Sequence, residues 1–221
     1  ITKAEGTLTV TPFTDKVTVT IKGHEDTATY DGNPHSVEGY EVTNISNTLY
    51  KVNDIGFTGE AKAEGTAAGT HQMNLKKDQF SNISQNFTNV EFVVEDGSLT
   101  INPKSITPDG PNTPEDEKTG ITVTDPADSI YDGKAHVNPL TVRDTKTGKD
   151  LVENKDYTLT YSDDVTNVGT VKVTVKGKGN YTGEFTKKYQ ILPREYTVTT
   201  DSANKTYDGT VLTAGGHVDG L

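Results

Sequence analysis

Three Tyr-Asp-Gly tripeptides, Tyr30-Asp31-Gly32, Tyr131-Asp132-Gly133 and Tyr207-Asp208-Gly209, recur in a chain whose prolines Pro12, Pro103 and Pro193 stand 91 and 90 residues apart. A period of that length constrains the architecture, because each repeat must be a small unit that packs mainly on its neighbours. The segments before the prolines repeat as well: Thr7-Leu8-Thr9-Val10-Thr11, Ser98-Leu99-Thr100-Ile101-Asn102 and Tyr189-Gln190-Ile191-Leu192. Late in each unit Ala68-Gly69-Thr70 or Val168-Gly169-Thr170 opens a strand, and Asn86-Phe87-Thr88 or Asn180-Tyr181-Thr182 follows it. The expected division is residues 1–12 as the last strand of an upstream repeat, 13–104 and 105–193 as two complete repeats, and 194–221 as the opening of a further one. On this reading the chain is a piece of a longer array. The acidic, Pro-rich stretch 108–119 is expected as a surface loop and is the best candidate for a linker.

Hydrophobic periodicity sets the fold class. Val17, Val19 and Ile21 alternate with Thr and Lys, and Val171, Val173 and Val175 do the same, the pattern of half-buried strands. Strand character also marks Thr7 to Thr11, Val90 to Val94, Leu99 to Ile101, Ile121 to Thr124, Tyr157 to Tyr161, Tyr189 to Ile191 and Tyr196 to Thr199, with Asp-Gly and Gly-Asn punctuation between them. Only Lys77 to Gln85 suggests a helix, of one or two turns. The fold class is all-β: tandem small β-domains in an elongated line, each an immunoglobulin-like sandwich lacking the Cys and Trp hallmarks, or alternatively a curled β-grasp-like sheet.

Composition excludes several functions. Hydrophobic residues make up 31% and Trp is absent, so small cores are expected, each burying about 60 to 65% of the unfolded chain's surface. The net charge of −11 repels phosphate backbones, so nucleic acid is not an expected partner. No apolar run is long enough to span a bilayer, and the N-terminus lacks the regions of a signal peptide. Without cysteine, disulfides, thiol catalysis and thiolate metal sites are absent.

The repeated residues suggest turns before sites. In Tyr30-Asp31-Gly32, Tyr131-Asp132-Gly133 and Tyr207-Asp208-Gly209, Gly supplies positive φ, Asp bonds local backbone and Tyr anchors the turn on the core. A turn that every module makes explains three copies; a catalytic site needs one. His35 and His136 follow the Tyr by five residues, but Leu212 takes that place in the third copy, which suits packing over ligation. With His24, His71 and His217 they form no metal-ligand spacing. No cofactor is expected. Calcium is the one ion with acidic loops to receive it, at Glu115-Asp116-Glu117 and Asp163-Asp164, neither of which has the spacing of a calcium loop. No nucleophile elbow, phosphate-cradling loop or Ser-His-Asp order is present, so no catalytic residue is assigned. Lys172, Lys176, Lys178, Lys187 and Lys188 protect sheet edges. An amide cross-link from Lys to Asn or Asp is the sharper alternative, and needs a buried Lys, its partner and a nearby carboxylic acid.

The ordered set Thr29-Tyr30-Asp31-Gly32-Asn33-Pro34-His35, Gly39-Tyr40-Glu41-Val42, Ala68-Gly69-Thr70 and Asp96-Gly97-Ser98-Leu99-Thr100-Ile101 resembles the MBG or YDG repeat domains. Tyr131-Asp132-Gly133-Lys134-Ala135-His136 and Gly177-Lys178-Gly179-Asn180-Tyr181-Thr182-Gly183 extend the resemblance to the second copy. It implies a non-catalytic, extracellular repeat region of a bacterial, mainly Gram-positive, cell-surface or cell-wall-anchored adhesin-like protein. The implied role is a stalk or spacer, with adhesion to host glycan or protein through Tyr40, Tyr50 and Tyr181 as the alternative and an accessory region of a secreted hydrolase as the remote one. Its partners are then neighbouring repeats of the same chain and a host ligand, and the fragment itself is a monomer.

Overall fold

The computed structural model describes residues 5–219. Residues 1–4 of the expected upstream strand and 220–221 of the expected downstream repeat lie outside the described residues. The first half carries β1 (Val17–Gly23), β2 (Glu25–Thr29), β3 (His35–Glu38), β4 (Tyr40–Ile45), β5 (Ile55–Phe57), β6 (Lys62–Gly65), β7 (Gly69–Gln72), β8 (Phe80–Asn82), β9 (Val90–Glu95) and β10 (Ser98–Asn102). The second carries β11 (Lys104–Ser105), β12 (Ile121–Thr124), β13 (Ser129–Ile130), β14 (Thr141–Asp144), β15 (Lys149–Asp150), β16 (Tyr157–Tyr161), β17 (Gly169–Gly177), β18 (Tyr181–Thr182) and β19 (Glu184–Leu192). A hairpin of β20 (Thr197–Thr200) and β21 (Gly216–Asp219) follows, exposed along its length. The fold is all-β. Among the described residues the helices are single 3-10 turns at Val52–Asp54 and Lys77–Gln79; the expected helix stops at Gln79 because Phe80 swings into the core as the start of β8.

Each half has its own core. Val17, Val19 and Ile21, the inward face of β1, pack with Tyr50, Phe80, Phe87, Leu99 and Ile101. Val171, Val173 and Val175 of β17 pack with Ile106, Val142, Tyr157, Tyr189 and Ile191. The alternation that marked these strands places every second side chain on the buried face.

Opening and closing strands lie side by side and parallel. β1 runs parallel to β9 and antiparallel to β4, and β2 runs parallel to β10, which also pairs antiparallel with β7. The second half repeats this with β11 parallel to β18, β13 parallel to β19, and β17 antiparallel to β19. Gly69 opposes Ile101 and Gly169 opposes Ile191, so the two ladders share one register. Each module thus combines a parallel pairing of opening and closing strands with antiparallel pairs, in small sheets packed around its own core. Because first and last strands point the same way, the chain enters each module at one end, its base, and leaves from the other, its top.

Two expectations differ from the structure. Thr7 to Thr11 forms no strand: a closing strand of an upstream repeat has its ladder partners in that repeat, and residues 5–12 are exposed beside the first module. The Pro-rich stretch does not join the modules. Lys104 already pairs in the second module one residue after Pro103, and 108–119 is an insertion between β11 and β12. Asp109 orders it by accepting from the backbone N–H groups of Thr119 (2.7 Å) and Gly120 (2.8 Å).

Candidate functional site at the module joint

The Tyr-Asp-Gly turns share one geometry. The Oδ1 of Asp31, Asp132 and Asp208 accepts from the backbone N–H two residues on, of Asn33 (2.8 Å), Lys134 (2.9 Å) and Thr210 (2.9 Å). The glycines lie at φ +84°, +78° and +77°, a left-handed conformation that costs other residues steric strain. The backbone N–H of Asn33 holds the Asp31 carboxyl below its ordinary pKa, and that of Lys134 does so for Asp132. Asp208 is drawn down to about 2, first by Lys205. His35 Nε2 completes the first turn at 3.0 Å from Asp31 Oδ1. His136 Nε2 comes equally near Asp132 but out of line, so it is close in distance and makes no hydrogen bond. These side chains are held by their own turns. Among the described residues no three His, Asp or Glu side chains gather as metal ligands, and Asp164 is occupied by Thr166 and Asn167.

What distinguishes the first turn is its place. Tyr30 packs against both cores. Its ring meets that of Tyr181 edge-on, with centroids 5.5 Å apart, an arrangement worth about 0.5–1.5 kcal/mol beyond burial. Beside it the Ala68 backbone N–H donates to Asn180 Oδ1 (2.8 Å). A Cβ on Gly32 would stand 2.9 Å from Thr147 Cγ2. The top of the first module, its Tyr-Asp-Gly turn and Ala-Gly-Thr step, thus rests on the base of the second, its Asn-Tyr-Thr turn. Clefts of about 330 and 470 Å³ flank the joint; Lys149 and Asp156 line one, Lys104, Glu117 and Lys146 the other, and Tyr30 both.

Beneath the joint lies a buried ion pair that inspection of the sequence missed. Lys104 Nζ donates to both oxygens of Asp144 at 2.7 Å, with 6% and 0% of these residues exposed. Tyr181 Oη donates to Asp144 Oδ2 (3.1 Å), and the backbone N–H groups of Lys146 and Thr147 donate to Oδ1. Burial, then the charge of Asp144, pushes the Tyr181 phenol up, so it stays a donor. A bonding network this complete offsets the cost of burying two charges. It supplies two of the three groups that an amide cross-link needs. The third group on the carboxylate is a phenol, and Lys104 and Asp144 are the only charged residues buried among those described.

The first module fills the same positions differently. Phe13 N–H donates to Asn86 O as Lys104 N–H does to Asn180 O. Ile45 opposes Val19 where Asp144 opposes Ile121. Phe87 stands where Tyr181 does, 5.7 Å from Phe13 and 5.1 Å from Tyr50. The sequence signal for the ion pair was the register: a lysine directly after the closing proline, where the first repeat has phenylalanine.

The tyrosines expected to grip a ligand are structural. Tyr50 is 1% exposed and donates to Asp54 O and Asn82 Oδ1. Tyr181 is buried in the joint, and Tyr40 packs on Phe57 and Phe80, 5.0 Å from each.

Residues 16–103 match the family model described as the MBG domain. No curated protein and no solved structure matches the chain. The matched segment runs from the residue before β1 to the proline after β10, and so contains the whole first core. This chain carries an MBG domain at residues 16–103.

Proposed function

We propose that this is a non-catalytic spacer: an extracellular stalk segment of a bacterial surface protein that holds a distal binding region away from the cell wall. The observation that carries the reading is the joint. Lys104 already belongs to the second module, Tyr30 bridges the two cores, and no flexible segment separates them. Such a contact transmits length and direction, which a stalk requires and an isolated binding module does not. The MBG match supports a repeat role without catalysis. Display at the surface, wall anchoring and a Gram-positive source rest on the family resemblance. Direct adhesion is the second reading, and the burial of Tyr50 and Tyr181 weighs against ligand stacking. A glycan array and a mucin pull-down with this chain separate the two. A spacer gives no saturable signal; specific saturable binding would overturn it.

A further inference from the structure

The two modules are built to meet tension along the chain differently. In the first, β1 and β2 run beside β9 and β10 in one parallel register. Six residue pairs reach from Val17 opposite Val90 to Lys22 opposite Glu95, and five from Glu25 opposite Ser98 to Thr29 opposite Asn102. Ser98 N–H, donating to His24 O at 3.2 Å, carries the ladder across the step between them, and Tyr30 N–H on Asn102 O closes it. Tension enters this module at the start of β1 and leaves at the end of β10. These points lie at opposite ends of a parallel ladder, so pulling slides β1 and β2 along β9 and β10. The evenly spaced bonds between them are then strained together. Two strands pulled apart from one shared end would instead open bond by bond.

In the second module the same ladder is cut short. β11 has two pairs with β18, Lys104 with Tyr181 and Ser105 with Thr182. β13 has two with β19, Ser129 with Ile191 and Ile130 with Leu192. Between them β12 pairs with β14 alone, so among the described residues nothing corresponds to β1 on β9. The ion pair of Lys104 with Asp144 ties the entering strand to β14. Once the contacts of Lys104, Ser105 and Ile106 fail, the insertion 108–119 straightens before tension reaches β12. The second module therefore gives way in parts.

We infer that the first module is a shear clamp and the second an extensible element: under tension along the chain the second unfolds first and lengthens the chain while the first holds. The resistance is a rate, set by the barrier to forced unfolding, and it follows the direction of pulling. The ladders set this order whether or not the chain is a spacer.

Single-molecule force spectroscopy tests it with handles at the two ends of the chain. A Gly-Ser insert of about 20 residues between Thr113 and Pro114 lengthens the second module's step by about 70 Å and so marks it. That site lies between the turns closed by Thr113 N–H on Gly110 O and Glu117 N–H on Pro114 O, and breaks neither. The marked step is expected first, at the lower force, and the first module's step second. The chain has no cysteine, so K16C and N89C, both at exposed positions, place handles at one shared end of β1 and β9, where Val17 N–H donates to Asn89 O. Circular dichroism with melting curves checks that this variant folds. Pulled there, the first module should open at a several-fold smaller force than through the chain ends. A first module that unfolds no later than the marked step overturns the proposal, and so does an equal force along both directions.

Discussion

At the scale of single residues, the base of the second module shows how one position is filled by opposite chemistry in two copies of a fold. Phe13, Ile45 and Phe87 make the first base apolar, whereas Lys104, Asp144 and Tyr181 make the second ionic. Removing one partner leaves an unpaired buried charge, so K104M is expected to cost about 3–5 kcal/mol in chemical denaturation. The combination K104F, D144I and Y181F, which installs the first module's residues, should recover most of that loss. A triple variant no more stable than K104M would show that the pair, and not its burial, carries the stability. The intact mass should equal that of the sequence, because among the described residues no second buried carboxylic acid assists amide formation; a mass lower by one water would contradict the ionic description. A separate acid effect belongs to Asp31 and Asp132. Their folded pKa values lie below the ordinary 3.8, so the stability they contribute is fully present above that value and is lost as pH falls through the folded one. D31N and D132N, which keep a neutral acceptor in the turn, should flatten the acid limb of a stability–pH curve below about pH 4 and lower the stability at neutral pH by the amount that limb no longer loses. An acid limb as steep as that of the unaltered chain would remove the turn carboxylates from the account.

Among the elements, the Tyr-Asp-Gly turn is one local structure in two settings. Gly133 has open space where a Cβ would go, so G133A costs only the strain of left-handed backbone, about 1–2 kcal/mol. Gly32 has the same φ but faces Thr147 across the joint, so G32A should lose a similar amount and also loosen the two modules. Equal changes in inter-module order for both variants would dissociate the turn from the joint. The turn and the alternating strands were legible in the sequence because they depend on neighbours: Asp on a backbone N–H two residues away, Val17, Val19 and Ile21 on a period of two. Long-range partners were not legible. Lys104 and Asp144 are 40 residues apart, and the chemistry of a lone lysine does not reveal which aspartate it meets. Tyr181 looked like a free ring because nothing local says that Tyr30 will cover it. The Pro-rich stretch suggested a linker by composition, yet Asp109 folds it back within the second module.

For the whole molecule, adjacent modules are locked end to end by the Tyr30 joint, so the chain keeps its length. The absence of cysteine makes the locked joint directly measurable, since E41C on the first module and K172C on the second introduce two spin-label sites on exposed strand positions. Pulsed electron paramagnetic resonance between them should give one narrow distance distribution, and adding Y30A should broaden it. A broad distribution in the chain that keeps Tyr30, or a narrow one that survives Y30A unchanged, would contradict the locked joint.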